Sequence, residues 1–176
     1  IGSAMSKLWV YYMRAYEEAQ RAATTDPLTN VRTRRYILPE LERIVQRSKR
    51  ENRTLACMML DADRFKSVND THGHQKGDEV LRLLASRITQ AVREYDLVGR
   101  YGGEEFLIVV PELDPEIVVG MAHRLHESIR SEPLAGLEQT VSVGVAFLEP
   151  EDHDADDLVK KADDALYRAK RAGRDR

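Results

Sequence analysis

Two short apolar runs, Leu97-Val98-Gly99-Arg100-Tyr101 and Phe106-Leu107-Ile108-Val109-Val110, flank Gly102-Gly103-Glu104-Glu105, and this stretch decides the architecture. Strand-like segments on either side of a four-residue, glycine-containing connection predict a β-hairpin. Pro111 has no amide hydrogen to donate, so it is expected to stop the second strand. Outward from the hairpin, Arg53 is followed by Thr54 and by Leu55-Ala56-Cys57-Met58-Met59-Leu60, a continuous apolar run of the kind that makes a strand buried on both faces. It ends abruptly in Asp61-Ala62-Asp63. Val141, Val143, Val145 and Phe147 alternate with smaller residues and predict a fourth strand. Between the strands, apolar residues recur with helical spacing at Ile37/Leu41/Ile44/Val45/Ser48, at Val80/Leu81/Leu84/Ile88/Val92, at Ile117/Val118/Met121/Ala122/Leu125/Ile129 and at Leu158/Val159/Ala162/Leu166/Ala169. Helix, strand, helix, hairpin, helix, strand, helix is an α+β order, with helices packed on a mainly antiparallel central sheet.

Composition agrees with one such domain. The chain has 176 residues, 42% of them hydrophobic and 32% charged, enough for a real core and unlike collagen, low-complexity disorder or a membrane protein. A formal net charge of −3 leaves no broad basic face, so neither a nucleic-acid partner nor membrane contact is expected from this segment. Cys57 is the single cysteine, which excludes an internal disulfide and suggests a reducing, cytoplasmic compartment. The apolar stretch Leu8 to Met13 is too short to span a bilayer, and no signal peptide is visible.

Residues 1–25 read differently from 26–176. Met5, Leu8, Tyr12, Ala15, Ala19 and Ala22 step by threes and fours, the spacing of a coiled-coil seam, and Asp26-Pro27 breaks the pattern. The seam fits either a helix packed on its own domain or a parallel dimerising helix that continues into an upstream domain. The opening Ile1-Gly2-Ser3-Ala4 has the look of an expression scar.

The chemistry concentrates in acids at strand ends. Asp61 and Asp63 stand where a buried strand stops, and Glu104 and Glu105 sit at a hairpin tip. If the two strands are neighbours, the carboxylates converge and repel unless a cation neutralises them, and oxygen ligands favour Mg²⁺ or Mn²⁺. Glycines before the acids let a backbone approach a phosphate closely. Such a site could clamp a triphosphate for in-line displacement; the other reading is a set of solvated turn acids. Asn69, Asp70, His74 and Asp78 follow in a polar segment punctuated by Gly73 and Gly77. They could read a guanine edge, while Asp78 could equally be a plain helix cap and Asn69 a turn residue. Lys170 and Arg174, four apart on one helix face, suit either phosphates or the negative end of the helix dipole.

Taken together, these residues spell a known signature. Arg100-Tyr101-Gly102-Gly103-Glu104-Glu105-Phe106 resembles the hallmark of the GGDEF-domain diguanylate cyclases in its GGEEF form. Asp61 to Asp70 with Gly73-His74 and Gly77-Asp78, Asp26-Pro27-Leu28-Thr29 with Arg34-Arg35-Tyr36, Val141 to Ala146, and Ala162-Asp163 through Arg174 resemble four further motifs of that family, in order. The resemblance covers residues 26–174 and implies a fold similar to the palm-like nucleotidyl cyclases.

It also implies an activity: condensation of two GTP into cyclic di-GMP with release of pyrophosphate, across a homodimer, with Mg²⁺ or Mn²⁺ as cofactor. By position, Asp61, Glu104 and the carbonyl of Ala62 would hold the metal, and Glu105 would sit at the nucleotide edge as a third catalytic carboxylate. Asn69 and Asp78 would read guanine with His74 nearby. Lys66, Lys170, Arg174 and backbone N–H groups around Arg64 and Phe65 would contact phosphates. Arg93 and Asp96, with Arg124, resemble the family's inhibitory product site. Residues 1–25 would then be a dimerisation and signalling helix below an upstream sensor, which could tether the full-length protein to a membrane, and 26–176 the catalytic domain. Asn30-Val31 and Thr33 depart from the usual opening motif; Asn30 tolerates the left-handed turn that glycine would supply. Asp175 replaces a common Asn, and the final strand of many relatives lies beyond residue 176, which together would loosen Arg174. The alternatives are a catalytically silent receptor for GTP or cyclic di-GMP, and a pure oligomerisation module that leaves the acids unexplained.

Overall fold

The computed structural model describes residues 2–176, and side chains for 7–17, 19, 20 and 23–176. Ile1 and the side chains of Met5 and Ala22 thus lie outside the described residues.

The centre of the fold is β2 (Leu55–Ala62), buried along its whole length as its unbroken apolar run predicts. It pairs antiparallel with β4 (Glu105–Pro111) on one side and with β5 (Val141–Phe147) on the other. β3 (Leu97–Arg100) closes the hairpin onto β4, and a two-residue strand, β1 (Arg32–Thr33), adds in parallel to β3. The order is β1-β3-β4-β2-β5, mixed but mainly antiparallel. Alternate residues of β2 and β4 face opposite cores. Ala56, Met58, Leu60, Phe106, Ile108 and Val110 pack against α4 (His74–Ala91) and α5 (Pro115–Arg130). Leu55, Cys57, Met59, Leu107 and Val109 pack against α2 (Arg34–Glu51) and α6 (Ala155–Arg171). Burial pushes the Cys57 thiol up, far out of its reactive range.

Several boundaries differ from the sequence expectation. Pro111 is the last residue of β4, paired with Leu55, rather than a residue beyond it. The polar segment after β2 contains its own short helix, α3 (Phe65–His72), whose single buried side chain, Phe65, is too sparse a signal for periodicity. α4 starts at His74 after Gly73 (φ 83°), so Asp78 lies inside the helix and is not its cap. On β5 the alternation is real but its sense is unexpected. The small residues Ser142, Gly144 and Ala146 are the more deeply buried set, because α6 lies directly over them. On α5, Ile117 is exposed and His126 is buried in its stead.

α1 (Gly2–Thr24) contacts α2 and β1. There Thr33 both caps α2, accepting from the Tyr36 N–H at 3.3 Å, and donates its hydroxyl to the carbonyl of Ala23 at 2.8 Å. The seam residues Leu8 and Tyr12 are exposed, and so are Trp9, Tyr11 and Tyr16 outside the seam. Packing on its own domain therefore does not account for Leu8, Trp9, Tyr11, Tyr12 and Tyr16. Among the described residues no helix is long and apolar enough to cross a membrane.

A Cβ on Gly144 would fall well inside van der Waals contact of the Ala162 carbonyl and the Leu166 amide, both backbone atoms of α6. Gly144→Ala is therefore expected to destabilise the domain by about 2 kcal/mol or more, lowering Tm by roughly 4–8 °C. Thermal denaturation followed by circular dichroism checks it.

Candidate active site

The register of the sheet assembles the site. β2 places Asp61 directly opposite Glu105 on β4 and opposite Ser142 on β5. Residues opposed in an antiparallel pair share a face, so two carboxylates meet across adjacent strands at one edge of the sheet. The hairpin connection is tighter than expected: the Tyr101 N–H donates to the Glu105 carbonyl at 2.8 Å, leaving Gly102-Gly103-Glu104 as the turn. Glu105 is thus a strand residue, and Glu104 alone remains at the tip, its carbonyl accepting from the Ala62 N–H at 3.2 Å. A Cβ at Gly102 would meet the Glu105 carboxylate and push that side chain aside.

The electrostatics follow from this proximity. Desolvation raises the pKa of Asp61, against an opposing hydrogen bond and ion pair from Lys170, whose Nζ lies 2.8 Å from Oδ2. Desolvation also raises Glu105, and the charge of Asp61 adds to it. An edge that holds two acids above their ordinary range, with one lysine bridging the shortfall, is an arrangement that accepts a divalent cation. Among the described residues no three His, Cys, Asp or Glu side chains converge as a complete metal site. Glu104, Asp61 and a backbone carbonyl would complete the shell with substrate oxygens.

Asp63, read as half of a carboxylate pair, has another job. Buried, it accepts the hydroxyls of Ser142 (2.7 Å) and Thr140 (2.8 Å) and the Asp175 N–H (3.1 Å), which ties β2 to β5 and to the chain's last residues. Asp175 is thereby tied to Asp63.

Arg100 has a structural role at the hairpin that its position in the signature does not reveal. Its guanidinium donates to the Gly103 carbonyl (2.7 and 3.1 Å) and to the Asp26 carboxylate (3.2 Å). Asp26 also accepts from the Thr29 N–H and hydroxyl, and despite the opposing cost of burial these bonds and Arg100 hold its carboxyl below the usual range. The opening motif thereby braces the hairpin tip, with Asn30 left-handed (φ 59°) as its place in the turn requires.

On α3 and α4, the Asn69 amide oxygen lies against Gly77, where a Cβ would displace it, and Phe65 packs beside it. This close approach brings Asn69 to the helix turn that carries Asp78, while Lys66 and His74 stand exposed. Arg64 is left-handed (φ 55°) at the start of α3, with no side-chain cap on the helix's first N–H groups. Arg64, Ser67, Thr140 and Arg174 line a cleft of about 410 Å³, and the charge of Arg174 is felt at Asp61.

Arg93 and Asp96 form a locked pair. The Asp96 side chain, wholly buried, accepts the Arg93 N–H and Nη2 at 2.8 Å each, and Nη2 also donates to the Pro111 carbonyl. Arg93 borders two clefts, one with Asn30 and Arg32 and one with Arg47, Arg53 and Tyr95. Arg124 is exposed on α5 beside Gly120 and lines neither.

The model of the diguanylate cyclase GGDEF domain matches residues 23–176. The chain belongs to this family. The GGDEF chain is 39% identical over 168 residues to diguanylate cyclase DgcM of Escherichia coli, covering 93% of itself and 40% of that protein. It is 35% identical over 170 residues to the response regulator PleD of Caulobacter vibrioides, covering 93% of itself and 37% of PleD. The chain thus spans less than half the length of these curated relatives. Among solved structures, the coiled coil and GGDEF domain of DgcB from Caulobacter crescentus, in complex with c-di-GMP, superposes with a TM-score of 0.89 at 34% identity, over 98% of this chain and 94% of that one.

Raised carboxyl pKa values make folding favour the protonated acids. Without metal, stability falls as pH rises from the unfolded carboxylate range through the higher folded values of Asp61 and Glu105, and stays reduced above it. Glu105→Gln is accordingly expected to stabilise the metal-free domain at neutral pH by about 0.5 kcal/mol, roughly 1–2 °C in Tm, with the gain shrinking at pH 4. Thermal melts in chelator at both pH values check it.

Proposed function

We propose that this chain is the catalytic part of a diguanylate cyclase, condensing two GTP into cyclic di-GMP and pyrophosphate. The observation that carries the reading is the Asp61–Glu105 juxtaposition at the end of a buried strand, beside a glycine turn that leaves a backbone open to phosphates. DgcB, which matches almost the whole chain, has c-di-GMP in its complex, and this supports the same dinucleotide here.

In this reading Asp61, Glu104 and the Ala62 carbonyl hold Mg²⁺ or Mn²⁺. Held there, the ion would supply Lewis-acid charge for the phosphate that reacts. Glu105 supplies further negative charge at that edge. Asn69 and Asp78 present acceptors and a donor to the guanine edge; Asp78 is free to do so because it is not capping α4. His74 stands at the same end of α4. Lys66, Arg174 and the N–H groups at Arg64 and Phe65 take the phosphates. Lys170 neutralises Asp61 in the structure, so its phosphate role requires the cation to take over that carboxylate.

The new bond joins the 3′-oxygen of one GTP to the α-phosphorus of the other, and the bond from that phosphorus to pyrophosphate breaks. Each of two sites supplies one nucleotide, so two copies must face each other. α1 is suited to join them: its Leu8 and Tyr12 stand clear of the domain, and residues 1–25 act as the dimerising and signalling helix below an upstream sensor. Product would return to Arg93 and Asp96, with Arg124 reaching that site from a neighbouring face, as feedback.

Chromatography of products from GTP and Mg²⁺, on protein stripped of nucleotide, tests the reading. Cyclic di-GMP is expected, at a rate rising faster than protein concentration; GTP binding without turnover would favour a silent receptor instead. Glu104→Ala should cut turnover by about 10²-fold or more by removing a metal ligand, and near-wild-type product formation would refute that role. Arg93→Ala is expected to raise the product concentration needed for half-inhibition by about tenfold or more while leaving the initial rate within twofold. An unchanged inhibition curve would place feedback elsewhere.

A further inference from the structure

We propose that His126 is a positioning residue for the nucleotide's phosphates, acting on Arg174 through the neighbouring Asp175. The inference rests on the GTP reading above and concerns a residue outside every motif of the signature.

Gly173, Arg174 and Asp175 all have positive φ, at 116°, 64° and 53°. Two non-glycine residues in succession keep that conformation only where the surroundings impose it. The Arg176 carbonyl accepts from the Val143 N–H at 2.7 Å, and Asp175 supplies the side-chain contacts that impose it. Its N–H donates to Asp63 Oδ2 at 3.1 Å, and its Oδ1 lies 2.9 Å from His126 Nε2. Arg130 Nε is 3.6 Å from the other carboxylate oxygen, but Arg130 is an exposed and mobile type of side chain. His126 differs. The residue is buried on the face of α5 that also buries Ala122, Leu125 and Ile129, so it sits in close-packed surroundings. Asp63 is equally fixed, by Thr140 and Ser142. The turn is therefore pinned from β2 on one side and from α5 on the other.

Arg174 is the residue between. Its N–H returns to the Ala169 carbonyl at 3.1 Å, so its backbone is set by α6 behind and by the Asp175 clamp ahead. Its side chain lines the cleft shared with Arg64 and Ser67 at the start of α3. A flexible arginine becomes an effective phosphate ligand when its backbone is ordered before the ligand arrives, because less freedom is lost on binding. The aspartate at 175 gives His126 a charged acceptor, 2.9 Å from Nε2.

Equilibrium binding of GTP and GMP to the nucleotide-free chain tests this. His126→Leu is expected to weaken GTP about tenfold and GMP less than twofold, since only GTP offers the far phosphates to Arg174. His126→Gln, which keeps a donor near the Nε2 position, should recover most of the loss. The double variant H126L/R174A should bind GTP no more weakly than R174A alone. Asp175→Ala, at a half-exposed position, should show the same GTP-selective loss and serves if the His126→Leu chain folds poorly. Equal losses on GTP and GMP, or losses that add to R174A, would overturn the inference while leaving the GTP reading intact. An unaltered chain that binds neither nucleotide would overturn both.

Discussion

Everything at the candidate site depends on one repulsion that the fold does not avoid. β2 must be apolar to sit in the middle of the sheet, yet it ends in an aspartate set opposite a glutamate on its neighbour. Like charges directly opposed across antiparallel strands are destabilising. The chain compensates with Lys170, delivered from the far end of α6, and that helix can reach because Gly144 lets its backbone lie on β5. A packing detail in the core is therefore what brings a counter-charge to the edge. Stability in the unbound state and affinity for a cation stand in opposition here, as expected of a site built for charge it does not itself supply.

The supporting shell works by holding backbone rather than by touching the reacting groups. Arg100 spans from Asp26, 74 residues upstream, to the Gly103 carbonyl, so the opening motif stiffens the hairpin tip. Asp63 fastens β2 to β5 and to the last turn of the chain. Asn69 and Gly77 set how closely α3 and α4 approach. Each spends a polar side chain on geometry, which is how a turn rich in glycine can be mobile by composition and fixed in place.

Much of this was legible from the residues. Unbroken apolarity marked β2 as central, and glycine between two apolar runs marked the hairpin, because both signals are local. The register was not local: that Glu105 and not Glu104 faces Asp61 depends on where the Tyr101–Glu105 hydrogen bond closes the turn. α3 escaped because a helix of eight residues with one buried side chain has no periodicity to detect. Asp78 seemed a cap only because α3's existence moves the start of α4 back to His74. The bracing role of Asp63 and the burial of His126 were not legible, since their partners lie far along the chain, at residues 140–142 and 175.

Cys57 offers an experimental handle that follows from its place in β2. As the chain's single thiol, fully buried on the central strand with its pKa pushed up, it is silent toward alkylating reagents while the sheet is closed. Its rate of alkylation therefore counts openings of the central strand, with no probe attached and no residue changed. A cysteine introduced anywhere on the surface would, by the same token, be the only one to take a label in the folded domain.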